Sequence, residues 1–299
     1  MISLKQLQVF SSIARHGNLG LAAEELFLSK GALSQALAEL ERQLGQPVFD
    51  RVHPRLKLND QGRQLQPLAE EILSRITDIE HLFDEQGAPS GTLRLGASQT
   101  IGNYLLPKLL AQQPELQAKV CITNTHNLCD MLLRFELDMA LIEGENFHPA
   151  LITQDWLADE MLVVAHPDHP LADKKTLSLV QLAHHDWVLR EPQSGNREQF
   201  DRELAPQIGA LGQRLELNTL ESVMLAVEQG LGLAFVSRRA VNDRLLSGRL
   251  VIINVNTHLS RILKLVWHKQ KYHSALLRRF IALCQQQEED KGPFGKSKA

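Results

Sequence analysis

Three polar side chains lie near the start of one short segment, residues 28–45, which reads LSKGALSQALAELERQLG. They are Lys30, Ser34 and Gln35, and they lie opposite an apolar stripe of leucines. Ammonium, hydroxyl and amide groups at the start of such a helix can reach base edges in the major groove of DNA. The segment therefore predicts a helix that reads DNA.

The segments around this helix predict a winged helix-turn-helix domain over residues 1–58. Helical patterns occur at about Leu4–Arg15, Leu19–Phe27 and Ser29–Leu44. The second and third patterns are joined by a very short turn, as in a helix-turn-helix. A hairpin pattern follows, and its Arg51, Arg55 and Lys57 are candidate phosphate contacts. The alternative is a structural helical module whose polar face is only solvated.

Composition limits where such contacts can be. The chain has 299 residues and a formal net charge of -3, so we expect two or more domains and only a local affinity for nucleic acid. Its three cysteines form no CxxC pair, which favours a reducing compartment. No apolar run is long enough to span a bilayer, and the start of the chain does not read as a signal peptide. We therefore expect a cytoplasmic protein without a membrane partner.

Residues 59–87 predict a long linker helix that Asn59 can cap. Its apolar residues step alternately by four and three, which is typical of a helix that pairs with a copy of itself. These residues are Leu65, Ala69, Ile72, Ile76, Ile79 and Phe83. We expect a homodimer along this seam, a bend near Pro67 and a hinge at GAPSG, residues 87–91.

The rest of the chain, residues 91–299, alternates strand and helix patterns, which predicts an α/β fold with mostly parallel sheets. Its length suits two small lobes. We place lobe I at residues 91–161 and 267–299, and lobe II at residues 162–266.

Two predicted helix starts in this part of the chain could bind a small anion between the lobes. The candidate residues are Ser98, Gln99 and Thr100 at one start, and Ser194, Gly195, Asn196 and Arg197 at the other. Glu143 and Glu145 follow a strand and would oppose an anion nearby, so we expect a small polar oxyanion or carboxylate that can carry a proton. The alternative for Ser98 and Ser194 is a helix cap without a ligand.

No enzyme motif is complete. The chain lacks a Gly-x-Ser-x-Gly elbow, and Gly230 and Gly232 alone do not make a phosphate loop. His166, Asp168 and His169 lie in a proline-interrupted loop pattern that does not favour a metal site. We expect no catalytic residue, no metal and no cofactor. The rival to a DNA-binding protein is a solute-binding or sensor protein whose N-terminal module serves assembly only.

The run from Leu4 to Gly62 resembles the N-terminal domain of LysR-type transcriptional regulators. The paired Ala22 and Ala23, the LS at Leu28, the LG at Leu44, the FDR from Phe49 and the closing Gly62 all follow that family's order. The chain departs from the pattern at residues 18–21 and at Lys30 and Gly31, which puts one phosphate contact in doubt and suggests a changed base preference.

The resemblance extends over nearly the whole chain and implies a DNA-binding regulator that an effector controls. It implies a two-lobed domain like that of periplasmic binding proteins, with the effector in the cleft. It also implies crossing strands near Met161–His166 and Leu263–His268, with Ser98, Thr100, Ser194 and Arg197 at ligand positions. The partners would be double-stranded DNA, a small-molecule effector and further copies of the chain, as a homodimer that pairs into a homotetramer.

Overall fold

A computed structural model describes residues 1–52, 55–80, 91–146 and 148–289 of the chain. The predicted end of the linker helix, with Phe83, and hinge residues 87–90 lie outside these ranges. The helices are α1 (Leu4–His16), α2 (Leu19–Glu25), α3 (Lys30–Leu44), α4 (Asp60–Glu80), α5 (Gln99–Tyr104), α6 (Leu106–Ala111), α7 (Thr125–Leu133), α8 (Gly195–Gln199), α9 (Ala205–Ile208), α10 (Leu220–Glu228), α11 (Arg238–Leu246) and α12 (Ala275–Glu289). None of these described helices is long and apolar enough to cross a lipid bilayer.

The N-terminal module is a three-helix unit with a wing. Helix α3 begins because the Ser29 hydroxyl accepts a hydrogen bond from the Ala32 backbone N–H at 3.1 Å. It ends at Gly45, whose φ of +72° suits a residue without a side chain. Leu33, Leu37 and Leu40 are buried in the module's core, as the leucine spacing predicts. The wing is an antiparallel hairpin of β1 (Phe49–Val52) and β2 (Arg55–Leu58).

Helix α4 begins as predicted, because the Asn59 side chain accepts from the Gly62 backbone N–H at 2.9 Å. The helix is continuous through Pro67. Part of the predicted dimer seam is wrong: Leu65 and Ala69 pack into the core of the N-terminal module and are not available to a partner. The apolar residues that α4 exposes to solvent are Leu68, Ile72 and Ile79.

The remaining strands are β3 (Leu93–Ala97), β4 (Ala118–Ile122), β5 (Met139–Ile142), β6 (Leu151–Ala165), β7 (Trp187–Arg190), β8 (Arg214–Leu217), β9 (Ala234–Ser237), β10 (Val251–Ile252) and β11 (Ser260–His268). The main sheet has the order β10-β6-β11-β5-β3-β4, and β9 also pairs with β6. Strands β4 and β5 run parallel to β3, but β11 runs antiparallel to both β5 and β6. The sheet is therefore mixed, and the expectation of mostly parallel sheets is wrong.

Two lobes follow from the packing of this sheet. The core of lobe I contains Leu157 and Leu263, whereas the core of lobe II contains Met161 and Leu259. The chain therefore leaves lobe I along β6, between residues 157 and 161, and returns between residues 259 and 263. The predicted return at residues 266/267 is too late, because β11 pairs with the lobe I part of β6 along its whole length.

A buried group of charges, the junction cluster, joins α4 to lobe I. Glu70 of α4 lies 2.9 Å from the Arg94 guanidinium and 3.6 Å from Lys271, and it also faces Arg15 of α1 at 3.6 Å. Asp138 pairs with the same two cations, at 2.7 Å to Arg94 and 2.8 Å to Lys271. Burial opposes ionisation, but Lys271 and Arg94 outweigh it and hold the pKa of Asp138 far below its usual value.

We expect Asp138→Asn to lower the free energy of unfolding of the two-lobed domain by about 3 kcal/mol at neutral pH, because it leaves Arg94 and the buried Lys271 with Glu70 as their one remaining carboxylate in the cluster. The stabilisation belongs to a carboxylate with a depressed pKa, so the wild type should lose it as the pH falls below about 4. Urea unfolding followed by tryptophan fluorescence measures this, since all three tryptophans lie between residues 156 and 267. Asp168→Asn, at an exposed loop position, is the matched control, and an equal loss in both variants would contradict the assignment.

Candidate functional site

The centre of the candidate site is a buried arginine, Arg261 of β11, whose side chain is only 5% exposed. Its guanidinium lies 3.0 Å from the Glu143 carboxylate and 2.9 Å from that of Asp159. It also donates to the Asn196 side-chain oxygen and lies 3.3 Å from the Thr100 hydroxyl. Thr100 and Glu143 belong to lobe I and Asn196 to lobe II, so one side chain bonds to both lobes.

Glu143 occupies the place that a bound anion was expected to take. Its carboxylate accepts from the Thr100 backbone N–H at 2.7 Å, at the start of α5. Burial acts to raise the pKa of Glu143, but Arg261 and the Thr100 N–H outweigh it and hold the pKa below its usual value. Glu143 is therefore ionised at neutral pH. The prediction that this helix start offers a free amide to an anion is wrong at Thr100.

Four buried polar groups at the boundary between the lobes have no hydrogen-bond partner among the described residues: the hydroxyls of Ser98 and Thr125, the side-chain N–H₂ of Asn196 and the side-chain oxygen of Gln199. Each of these residues is at most 3% exposed. Native proteins satisfy nearly all of their buried polar atoms, so a group of unsatisfied ones points to a ligand or to ordered water. Ser98 and Asn196 were predicted, and Thr125 and Gln199 were not.

Two glycines let the lobes touch beside this group. A Cβ atom on Gly195 of α8 would lie 2.6 Å from the backbone nitrogen of Gly144, which follows β5. A Cβ on Gly144 would in turn lie 3.1 Å from the Gly195 Cα and 3.3 Å from the Thr125 methyl group. Gly195 therefore has no room for a side chain, whereas a side chain at Gly144 would need its neighbours to move by a few tenths of an ångström.

The other predicted ligand residues have different roles. The Gln99 side chain bonds to lobe II, accepting from the Leu220 N–H at 2.5 Å and donating to the Asn218 carbonyl at 3.2 Å. Glu145 forms an ion pair with Lys264. Ser194 is buried at the start of α8 but its side chain makes no capping bond.

Arg197 does not reach the group around Arg261. It pairs with Asp201 at 2.8 Å and with Glu216 at 3.2 Å, and it donates to the Arg190 carbonyl at 3.0 Å. All three partners lie in lobe II. Whether Arg197 contacts a ligand stays a prediction, since three bonds within lobe II already hold its Nε and Nη1 groups.

A cavity of about 180 Å³ borders the Arg261 network between the lobes. Its charged lining consists of the carboxylates of Glu143, Glu145, Asp155, Glu198 and Glu203 and the cations of Arg202, Arg261 and Lys264. Carboxylates outnumber cations, so the cavity does not attract anions by its overall charge.

The predicted DNA contacts are at the surface. Lys30, Ser34 and Gln35 of α3 and Arg55 and Lys57 of the wing are all exposed. The side chain of Arg51 lies outside the described residues. Whether these residues contact DNA stays a prediction.

Sequence reasoning missed the central residue, although a signal was present. Arg261 is in phase with Leu263 and Leu265, which face the core of lobe I, because alternate residues of a strand point to the same side. An arginine in the buried phase of a strand requires a buried acceptor. Its partner Asp159 carries the same signal, since it is in phase with Leu157 and Met161 of β6, whereas Thr125 carries none.

Metal and thiol chemistry have little support in the part of the chain that the structure describes. No three His, Cys, Asp or Glu side chains converge there as metal ligands. The His166 ring nitrogen accepts from the Asp168 backbone N–H at 3.1 Å, as in an ordinary loop. Burial raises the pKa of the Cys129 thiol to about 11, which disfavours the reactive thiolate.

Comparisons with known proteins bear on both halves of the chain. The family model described as "Bacterial regulatory helix-turn-helix protein, lysR family" matches residues 4–63, and "LysR substrate binding domain" matches residues 86–289. The chain is 39% identical over 290 residues to the Escherichia coli K12 protein YeiE, described as an uncharacterized HTH-type transcriptional regulator, covering 95% of this chain and 97% of YeiE.

Two solved structures share the fold. A cysteine-to-aspartate variant of full-length OxyR from Pseudomonas aeruginosa superposes with a TM-score of 0.75 at 23% identity, covering 96% of this chain and 94% of that one. The CcmR regulatory domain of Synechocystis PCC6803, in complex with 2-PG, superposes with a TM-score of 0.61 at 23% identity, covering 66% of this chain and 97% of that one.

We expect Arg261→Met to lower the free energy of unfolding by about 3 to 5 kcal/mol, because it leaves the buried Glu143 without its cation and Asp159 with Arg239 alone. Arg238→Met is the matched control. Arg238 pairs with Glu160, but both side chains are more than 40% exposed, so its loss should cost less than about 1 kcal/mol. Urea unfolding followed by tryptophan fluorescence compares the two variants. Similar costs would mean that the Arg261 network does not stabilise the domain.

Proposed function

The chain belongs to the LysR family of transcriptional regulators, and we propose that it binds double-stranded DNA through α3 and the wing while a small polar effector between the two lobes controls that binding. Members of this family are regulators of transcription and not enzymes. Because such a regulator must reach DNA, we place it in the cytoplasm. The effector of this chain is a small oxyanion or carboxylate.

The unpartnered polar groups at the lobe boundary carry the effector part of the proposal. The unbonded side-chain N–H₂ of Asn196 can only donate a hydrogen bond, whereas the Ser98 and Thr125 hydroxyls can either donate or accept one. Donors left over in a buried site call for a ligand that brings acceptors, which oxyanions and carboxylates do, and the unpaired Gln199 oxygen calls for a proton on that ligand. Arg261 and Gln199 line an adjoining cavity of about 180 Å³, and Thr125 lines a second cavity of about 690 Å³, so there is room for a small molecule on either side of these groups.

Charge narrows the ligand further. The buried network holds two cations, Arg261 and Arg239, and two carboxylates, Glu143 and Asp159, so it has no positive charge to spare. A multiply charged anion would be costly in such a site. We therefore infer a ligand with at most one negative charge, or one that keeps a proton to donate to a carboxylate. The CcmR domain was solved with 2-PG, which supports ligand binding by this fold but does not identify the ligand of this chain.

Dimerisation would use the exposed stripe on α4. Leu68, Ile72 and Ile79 are between 42% and 61% exposed, and their spacings of four and seven residues place them on one helix face. A second copy of α4 would bury this stripe and set the spacing between two α3 helices on one duplex. Pairing of such dimers into a homotetramer, which the family resemblance implies, is part of the same proposal.

Strands β3 and β5 connect the proposed effector site to helix α4, to which the DNA-binding module is attached. Strand β3 leads from Arg94 in the junction cluster to Ser98, and β5 leads from Asp138 in the same cluster to Glu143. Each strand thus has one end at the proposed ligand site; the other end of β3 pairs with Glu70 of α4 through Arg94, and that of β5 is linked to Glu70 through the shared cations Arg94 and Lys271. We infer that a ligand-dependent shift of either strand changes how α4 and its attached module are held.

For DNA binding, we expect the double substitution Ser34→Ala and Gln35→Ala to abolish sequence preference, because both side chains are candidate base contacts. Gel shift with duplexes from the chain's own upstream region measures this, and wild-type complexes should weaken steeply with salt. Sedimentation should show unchanged assembly in the variant. If the wild type is a monomer that binds no duplex, the protein would instead be a sensor whose N-terminal module serves assembly.

For the effector, we expect small monoanions such as formate, acetate or nitrate to raise the melting temperature more than sulfate at equal ionic strength. Ser98→Ala should remove that shift, and its melting temperature without added anion is measured alongside, because the Ser98 hydroxyl also lies beside the Glu143 carboxylate. Ser247→Ala, at an exposed position of lobe II, is the control. A shift from sulfate alone would refute the charge limit, and an unchanged shift in Ser98→Ala would refute the site.

A further inference from the structure

The turn between α2 and α3 presents a large apolar side chain that packs against nothing in the described structure. Phe27 is 96% exposed. Its neighbours Leu26 and Leu28 are partly buried against the core of the N-terminal module. An exposed phenyl ring gains nothing from the hydrophobic effect in the free protein.

The backbone at Phe27 is also unfavourable for this residue type. Its φ is +53°, in the left-handed region. The Leu28 N–H donates to the Ala23 carbonyl at 2.9 Å and the Phe27 N–H donates to the Glu24 carbonyl at 3.3 Å. This pair of bonds is the Schellman ending of a helix, in which glycine or asparagine usually takes the left-handed position. A bulky aromatic residue there is an outlier that stability alone does not explain.

The surroundings of the turn indicate what the Phe27 ring contacts. Phe27 comes two residues before Ser29, the N-cap of α3, and so lies beside the helix end that would enter the major groove. The Lys30 side chain lies across the start of α2: a Cβ on Gly20 would be 3.1 Å from its Cε and 3.4 Å from its Nζ. A phosphate bound by Lys30 would bring the edge of the groove close to the turn.

We propose that Phe27 is a DNA contact, with its ring against a thymine 5-methyl group or a deoxyribose at the edge of the groove that α3 reads. Phenylalanine makes this kind of apolar contact with thymine in the major groove. The contact would contribute to sequence preference without neutralising a phosphate. The proposal rests on DNA binding by this module and adds a residue that the family pattern and the charged candidates do not supply.

The test uses a duplex that the wild-type, full-length protein selects from a random pool. Binding is measured by fluorescence anisotropy at several salt concentrations for the wild type and for Phe27→Asn. Asparagine tolerates the left-handed backbone, so the variant should keep the turn and the melting temperature. We expect affinity to fall about tenfold, from the loss of one apolar base contact. The salt dependence should stay unchanged, because no phosphate contact is lost.

Replacing single thymines by deoxyuridine removes only the 5-methyl group and locates the contact. The wild type should lose affinity when deoxyuridine replaces thymine at one or two positions, and the affinity of Phe27→Asn should not change at those positions. If the variant binds every duplex more weakly and deoxyuridine has no effect on the wild type, the ring contacts a deoxyribose. The control is Leu246→Asn, which removes another exposed apolar side chain, 81% exposed, from α11 in lobe II.

Two results would overturn the proposal. One is an affinity of Phe27→Asn within twofold of the wild type. The other is a loss of affinity that sedimentation traces to weaker self-association, which would place Phe27 in an interface between copies of the chain. If the wild type enriches no duplex, DNA binding itself fails, which differs from failure of the Phe27 contact alone.

Discussion

The requirement that a buried guanidinium be fully paired constrains the whole two-lobed domain. Arg261 obtains its partners from the start of α5, the end of β5, the middle of β6 and α8. These elements belong to both lobes, so the lobes cannot separate without exposing the arginine or leaving it unpaired. Removal of one partner from such a network costs far more than the network contributes by forming. The network therefore fixes which arrangement of the lobes is stable.

A second buried set of charges imposes the same requirement at the other end of the sheet. The junction cluster places Glu70 and Asp138 between Arg94 and Lys271, with Arg15 of α1 nearby. Strands β3 and β5 connect the two networks, and both strands are buried along nearly their whole length. Packed strands transmit displacement well because close-packed interiors deform little. A ligand that alters the Arg261 network thus acts on elements that end at the linker helix.

How much could be predicted from the sequence depended on whether a pattern was local. The α3 helix, with Ser29 and Gly45 at its ends, follows from capping rules and leucine spacing. Asn59 starts α4 for the same reason. The antiparallel β11 could not be predicted, because strand direction is set by tertiary pairing and not by the alternation of residues. Leu65 and Ala69 fit a heptad, but Ala69 is buried in the core of the N-terminal module and Leu65 packs against that core.

The site itself shows where pattern reasoning ends. The structure brings four of the predicted site residues close together: Ser98, Thr100, Glu143 and Asn196. Three of them, Thr100, Glu143 and Asn196, are joined by Arg261. Arg261 is 118 residues from Glu143 in the sequence.

The expected mechanism, an anion held by helix starts, also changes once the contacts are known. Helices α5 and α8 have six and five residues, too short for a strong dipole, and Glu143 already holds the Thr100 amide. Since the buried charges cancel, recognition depends on the unpaired donors of Ser98, Thr125 and Asn196 and on the unpaired acceptor of Gln199. Selectivity at this site must then come from the number and direction of a ligand's hydrogen-bonding groups. A neutral network surrounded by carboxylates does not lower the free energy of binding for a ligand merely because it is negatively charged.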